Sequence, residues 1–306
     1  MSILQTLFGS EVFAATLRVT IPLLFVALGG LLTKQAGIEN IGLEGLMLIG
    51  CFSGFVVNYY TSSWIAGLIG GMVFTTLTAL IFGLFVISLR AHEIVAGVAI
   101  NMLGLGLTTY LLRAIFGVKG SFTDPRIQGI PTLDFGFLDN IPVVGTIFNK
   151  QSIMVWIGLA CVFIVHFMLY HTRFGYYIRA SGENPQALAT AGVSVYKIRY
   201  STILIHGVLC GLGGAYLSTG YLTQYVENMS AGRGFIAMAA IAFGGAKPYQ
   251  VFFSAILFAF VESLSNRMQL VNVPSYFALM VPYVVTVVVL AITSRREAQK
   301  SKTQVL

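Results

Sequence analysis

The chain has 306 residues, of which 57% are hydrophobic and 9% charged, and its formal net charge is +7. A soluble domain carries about 25% charged residues, so a water-soluble core is excluded and a bilayer is the solvent this composition demands. The basic balance does not indicate nucleic acid, because the Lys and Arg residues sit in short segments between apolar runs, the pattern that encodes membrane topology.

The first 17 residues contain no Lys or Arg. The basic start of a cleaved signal is therefore missing, and the first apolar run is expected to stay in the mature protein. A spanning helix needs about 20 apolar residues. The runs 12–32, 44–60, 64–89, 94–116, 152–170, 200–222, 234–246, 249–267 and 275–293 predict an all-α integral membrane protein with about nine transmembrane helices in one domain. The run 234–246 is short and reads as a tilted span, a half-helix or part of a re-entrant pair.

Basic residues set the orientation. Arg173, Arg179, Lys197 and Arg199 place 171–199 in the cytoplasm, and Arg295, Arg296, Lys300 and Lys302 do the same for the tail 294–306. Counting crossings back puts 117–151 and the N-terminus outside. The outer loop 117–151 holds Pro125, Pro131 and Pro142 and reads as ordered turns or a small external cap.

Taken in chain order, Glu39 and Glu44 flank the second span. They act on that helix's N-terminal dipole or line a pathway. Arg18, within the first span, can snorkel outward. Tyr59, Tyr60, Trp64, Tyr221 and Tyr225 read as an aromatic belt at the outer interface. Asn101 lies about 10 Å into the fourth span at 1.5 Å per residue and suits an interhelical hydrogen bond or a pathway. His166 and His206 read as satisfied core histidines, and Cys51, Cys161 and Cys210 as small buried hydrophobes, since no metal or redox spacing is present. Glu227, Asn228 and Arg233 precede the short run, and Gly232, Gly234, Gly244 and Gly245 bracket it. These glycines predict close packing or a helix break. Glu262, Asn266 and Arg267 read as a local hydrogen-bonded cluster.

The segment Gly182 to Gly192 contains a complete helix signal. Asn184 is a good N-cap, Pro185 suits the first helical position and Gly192 can close the end. A helix of about two turns is not stable alone in water, so it lies on a surface. It is a connector on its own helix ends or a helix offered to a soluble partner.

Three stretches resemble the permease subunits of ATP-binding-cassette importers of the ribose and branched-chain amino acid type. They are Arg173–Pro185 with Ala191-Gly192, Glu227–Ala237 ending in Phe243-Gly244-Gly245, and Ala36–Gly45. The forms NIGLEG and ENMSAGRGFIA resemble the nucleoside branch, whose receptors are basic-membrane-protein lipoproteins. The resemblance implies a multi-pass protein of the bacterial cell membrane with two permease subunits, identical or not, two ATPase domains beneath and an extracytoplasmic lipoprotein that delivers a small molecule. It implies that 185–191 is the coupling helix, with Gly182, Glu183, Asn184, Pro185, Ala187, Leu188, Ala191 and Gly192 engaged with the ATPase. The pathway candidates are Glu39, Asn40, Glu44, Asn101, Asn228, Arg233 and Glu262. No GxxxxGK[ST] phosphate loop occurs in the sequence, so ATP is expected to be used by the partner subunit and no cofactor or metal by this chain. A sugar or another small nutrient is the alternative cargo. An ion-coupled secondary transporter is a further alternative, but intramembrane carboxylates are few. A membrane enzyme would need an HExxH, a GxSxG or paired intramembrane aspartates, and the sequence has none of these.

Overall fold

A backbone in hydrocarbon must satisfy its own polar groups, and long apolar helices do so. The computed structural model describes residues 9–136, 144–269, 280–282, 284–288 and 291. Helix α1 is Ser10–Gln35, α2 is Leu43–Thr61 and α3 is Trp64–Gly83, which runs on through a π-turn at Leu84–Ser88. Helix α4 is Glu93–Phe116, α5 is the short Val144–Phe148 and α6 is Ile153–His171. Then follow α7 (Arg173–Glu183), α8 (Pro185–Thr190) and α9 (Val195–Tyr216), the last extended by a π-turn at Leu217–Tyr221. Helices α10 (Arg233–Phe243) and α11 (Pro248–Met268) complete the series.

Seven helices among the described residues are long and apolar enough to cross a membrane: α1, α2, α3, α4, α6, α9 and α11. They match seven of the nine expected spans. The eighth, α10, has 11 residues and is about 16 Å long, half of a hydrocarbon core about 30 Å thick. It is therefore the half-helix of the three readings. The ninth lies mostly outside the described residues, of which 280–282, 284–288 and 291 are helical. The tail 294–306 and its basic residues also lie outside them.

Helices α1, α2 and α9 form the centre, with 78%, 78% and 72% of their apolar windows buried, against 28% in α4 and 33% in α6. Helix α9 packs on α1, α2 and α3, while α4 leans on α2 and α11 on α1. The outer helices turn apolar side chains away from the bundle. On α3, Ile65, Ile69, Val73, Leu77 and Ile81 recur every fourth residue and are all exposed. Such a stripe suits lipid and not water.

The central crossing depends on small residues, because close backbone approach replaces the hydrophobic drive that lipid does not supply. A Cβ on Gly211 of α9 would stand 2.6 Å from the carbonyl oxygen of Gly71 on α3, and one on Gly50 of α2 would stand 3.1 Å from the Cα of Gly211.

The connections gather at two ends. At one end, strand β1 (Ser121–Phe122) pairs with β4 (Tyr225–Val226), and β2 (Thr132–Leu133) with β3 (Gln151–Ser152). Asn58 on α2 holds this cap by its side chain, donating to Gln128 O at 2.8 Å and accepting from Gln128 N at 3.2 Å. Arg126 pairs with Asp124 at 2.9 Å, which holds the Asp124 carboxyl below its ordinary range, and lies 4.0 Å from the centre of the Tyr59 ring. This is the expected cap of ordered turns. The aromatic belt is only partly realised. Tyr60 is exposed, but Tyr225 is fully buried against Phe52 and Phe55, since the ribbon folds it under the cap. The other end, here called the basic end, gathers 36–42, 89–92, 172–194 and 244–247.

Replacing Gly211 by Val is expected to abolish a folded, monodisperse protein in detergent. Gly106→Val, where nothing lies within 4 Å of the added Cβ, leaves the melting temperature within about 2 °C. Thermal unfolding of both variants checks this, and parental melting of Gly211→Val would contradict it.

Candidate functional site

The basic end is built by local capping. Thr172 accepts from Gly175 N at 3.1 Å and starts α7. Asn184 accepts from Ala187 N at 3.0 Å with Pro185 at the first position of α8, and Gly192 ends the turn at φ +80°. The start and stop signals read from the sequence are therefore the ones used. Helix α7 is not among the expected elements. Its signal is the spacing of Gly175, Ile178 and Ser181, which bury one face beneath a polar surface rich in Arg and Tyr. On α8, Leu188 is buried and pins the helix down, whereas Gln186, Ala187, Thr190 and Ala191 are exposed. Leu188 is thus an anchor within this chain, in contrast to the exposed Gly182, Glu183, Asn184, Ala187, Ala191 and Gly192.

Helix α7 rests its end on the end of α1. Ser181 Oγ donates to Ala36 O at 3.3 Å, and Arg199 from α9 donates to Ser181 Oγ and O at 3.4 and 3.3 Å. Gly182 passes so close that a Cβ there would stand 2.9 Å from Gly37 N.

Between α1 and α2 the chain leaves the helical path over 36–42, and side chains from other elements satisfy this polar strap. Asn40 Oδ1 accepts from Gly42 N at 2.7 Å, and Asn40 Nδ2 lies 2.8 Å from His206 Nε2 on α9. Glu93 accepts from Glu39 N at 2.6 Å. Asn101 on α4 accepts from Gly45 N at 2.7 Å and donates to Ile41 O at 3.0 Å. His206 is therefore the satisfied core histidine, and Asn101 makes the interhelical bond. Glu39 itself is exposed and edges a cavity of about 130 Å³ with Lys34, Asn40, Met238 and Ile241.

Glu44 does not serve its own helix. Its Oε1 accepts from Ser230 Oγ at 2.6 Å and Gly232 N at 2.8 Å, and its Oε2 accepts from Gly234 N at 2.7 Å. The carboxylate sits on the N-terminus of α10, where free amides and the helix dipole favour an anion. The dipole expectation holds in kind but for a different helix, because α2 begins beside the start of α10. At the other end of α10, Gln35 Nε2 donates to Ala246 O at 2.7 Å. The bracketing glycines act as both breaks and contacts. Gly232 and Gly245 adopt φ +82° and +55°, and Gly244 lies against Val251.

Among the described residues, Glu262, Asn266 and Arg267 do not bond to one another. Glu262 pairs with Arg233, which also donates to Met229 O at 3.0 Å, and Arg267 pairs with Glu11 at 3.1 Å. The start of α10 brings Arg233 against α11, and that contact outcompetes a local one. Glu39, Asn40, Glu44 and Asn101 therefore meet in the strap. Arg233 and Glu262 form one pair, and Asn228 stays exposed in a turn at φ +57°. Sequence reasoning missed Gln35, Ser181 and Ser230, uncharged residues whose partners are remote in sequence. Arg18 lines a cavity of about 400 Å³ with Glu11, Tyr221 and Arg267.

The described residues thus form a polytopic helical bundle in which the short capped helix α8 packs on α7 and α9, and α7 rests on the polar strap. Residues 12–290 match the family described as the permease component of branched-chain amino acid transport systems, and the chain belongs to that family. It is 36% identical to the guanosine ABC transporter permease protein NupQ of Bacillus subtilis, over 98% of this chain and 97% of that one. It is 34% identical to the nucleoside ABC transporter permease protein NupC of Lactococcus lactis, over 95% and 94%. A solved chain described as an inward-facing metal-chelate type ABC transporter matches 91% of this chain and 85% of its own length, with TM-score 0.53 and 13% identity, a likeness of fold.

Asn101→Leu leaves the Gly45 amide and the Ile41 carbonyl unpaired, and each buried orphan costs about 1–3 kcal/mol. Asn101→Asp keeps the acceptor for Gly45 N. Melting temperatures are expected to fall in the order parent, Asp, Leu, and a Leu variant as stable as the parent would contradict the bridging role.

Proposed function

We propose that this chain forms the translocation pathway of an ATP-driven nucleoside importer in a bacterial cell membrane, with α8 as the helix that receives work from a separate ATPase subunit. The observation that carries the reading is α8 itself. It is a six-residue helix too short to persist without support, yet it is capped at its start, anchored by Leu188 and left with a small, exposed outer face at Ala187 and Ala191. A soluble partner can seat closely on such a face.

The basic end is the cytoplasmic one. Arg173, Arg179, Lys197 and Arg199 cluster there, and cytoplasmic loops carry the Lys and Arg excess. The ribbon cap and the start of α1 then face outward, where an extracytoplasmic lipoprotein docks, and the tail is cytoplasmic. A second permease subunit completes the pathway. Nucleosides are the cargo class, on the strength of near full-length similarity to NupQ and NupC. The strap, with Glu39, Asn40, Glu44 and Asn101, and the pair Arg233–Glu262 border the pathway.

Ala187→Trp and Glu183→Lys are the direct test, in complexes reconstituted with the ATPase. Uptake of labelled nucleoside is expected to drop at least tenfold while ATP hydrolysis persists. Parental uptake by both variants, or uptake by the permease without any ATPase, would refute the assignment.

A further inference from the structure

We infer that Gln35 at the end of α1 and Glu44 at the start of α2 are positioning residues that clamp α10 by its two ends, so that α10 travels as one body with these two helix ends and the strap 36–42 between them. This rests on the proposed coupling role of α8. Helix α10 has 11 residues and is bounded by backbone breaks at Gly232 and Gly245. The chain bends on either side of it, and the Arg233–Glu262 pair and the Gly244–Val251 contact tie it to α11 as well. Its position is set by what grips it from the side.

The grip at its start is strong. Glu44 is buried, and its two oxygens accept from two amides and one hydroxyl. Charge-assisted bonds of this kind are about twice as strong as neutral ones. The backbone of Gly234 also abuts Leu43 and Glu44, leaving no room for a side chain. The grip at its end is the Gln35 amide on Ala246 O. Between the two, Ile241 packs beside Gly30 and Leu43. In this arrangement both oxygens of Glu44 are engaged with the start of α10.

The strap also meets the coupling unit. Ser181 and Gly182, just ahead of α8, touch Gln35, Ala36 and Gly37. A displacement of α8 and α7 therefore reaches α10 through one short stretch of chain. Helix α10 turns Phe235 and Phe243 away from the bundle, so its movement reshapes a free face.

The test uses the assembled importer in proteoliposomes, with Phe235→Cys as a reporter and Cys51, Cys161 and Cys210 replaced by Ala. The rate at which a small reagent modifies the thiol introduced at position 235 is read with and without trapped ATP. The parent is expected to change this rate at least threefold between the two states. E44Q offers a donor where Gly234 N needs an acceptor, and it is expected to erase the change and lower uptake at least tenfold while ATP hydrolysis continues. E44D, which keeps the charge, restores part of both. Should E44Q not fold, Gln35→Ala carries the same test with the same expected loss. An E44Q or Gln35→Ala importer with parental uptake and a parental change in reporter labelling would overturn the clamp, as would a transporting parent whose reporter labels at the same rate in both states. Transport without ATPase would instead overturn the coupling reading.

Discussion

The structure depends on one constraint, that no backbone amide or carbonyl at membrane depth can be left without a partner. Regular helices meet it alone. The stretch 36–42 does not, and the side chains of Asn40, Glu93 and Asn101 meet its free groups at Gly42 N, Glu39 N and Ile41 O. A half-helix such as α10 poses the same problem at its start, because its first amides have no intrahelical acceptor. Glu44, just past the strap, meets this second need by accepting from Gly232 N and Gly234 N. The polar residues that looked like isolated pathway candidates are thus one arrangement for keeping irregular backbone inside a membrane.

That arrangement is also what makes movement feasible. Rigid packing surrounds it: Gly50, Gly71 and Gly211 lock α2, α3 and α9 together at backbone distance. Helix α10 is packed as closely at its start, where Gly234 abuts Leu43 and Glu44, and is held at both ends by hydrogen bonds. In a bundle whose centre is fixed, a short helix gripped at both ends moves with the chain that grips it. Its end is tied to Gln35, next to the Ser181–Ala36 contact that leads on to α8.

Much of the fold was legible because bilayer spans are written as contiguous apolar runs. Helix α8 was legible because its signals, Asn184, Pro185 and Gly192, are local. The partner of Glu44 was not, since Gly234 is 190 residues away in sequence and nothing in either neighbourhood specifies the pairing. The same holds for Glu262, where a neighbour one turn on looked sufficient until α10 delivered Arg233. Helix α7 was hidden for a different reason: its buried face is only Gly175, Ile178 and Ser181, a narrow apolar stripe under a charged surface. Tyr225 looked like a belt residue by its position, and only the pairing of β1 with β4 places it inside.

The most direct measurement of the central claim is backbone hydrogen exchange in lipid nanodiscs, read on peptides covering 230–236. With Glu44 accepting from the amides of Gly232 and Gly234, these sites are expected to exchange at least tenfold more slowly in the parent than in Glu44→Ala, with the rest of α10 far less affected. Equal and rapid exchange at 232 and 234 in both proteins would contradict the account.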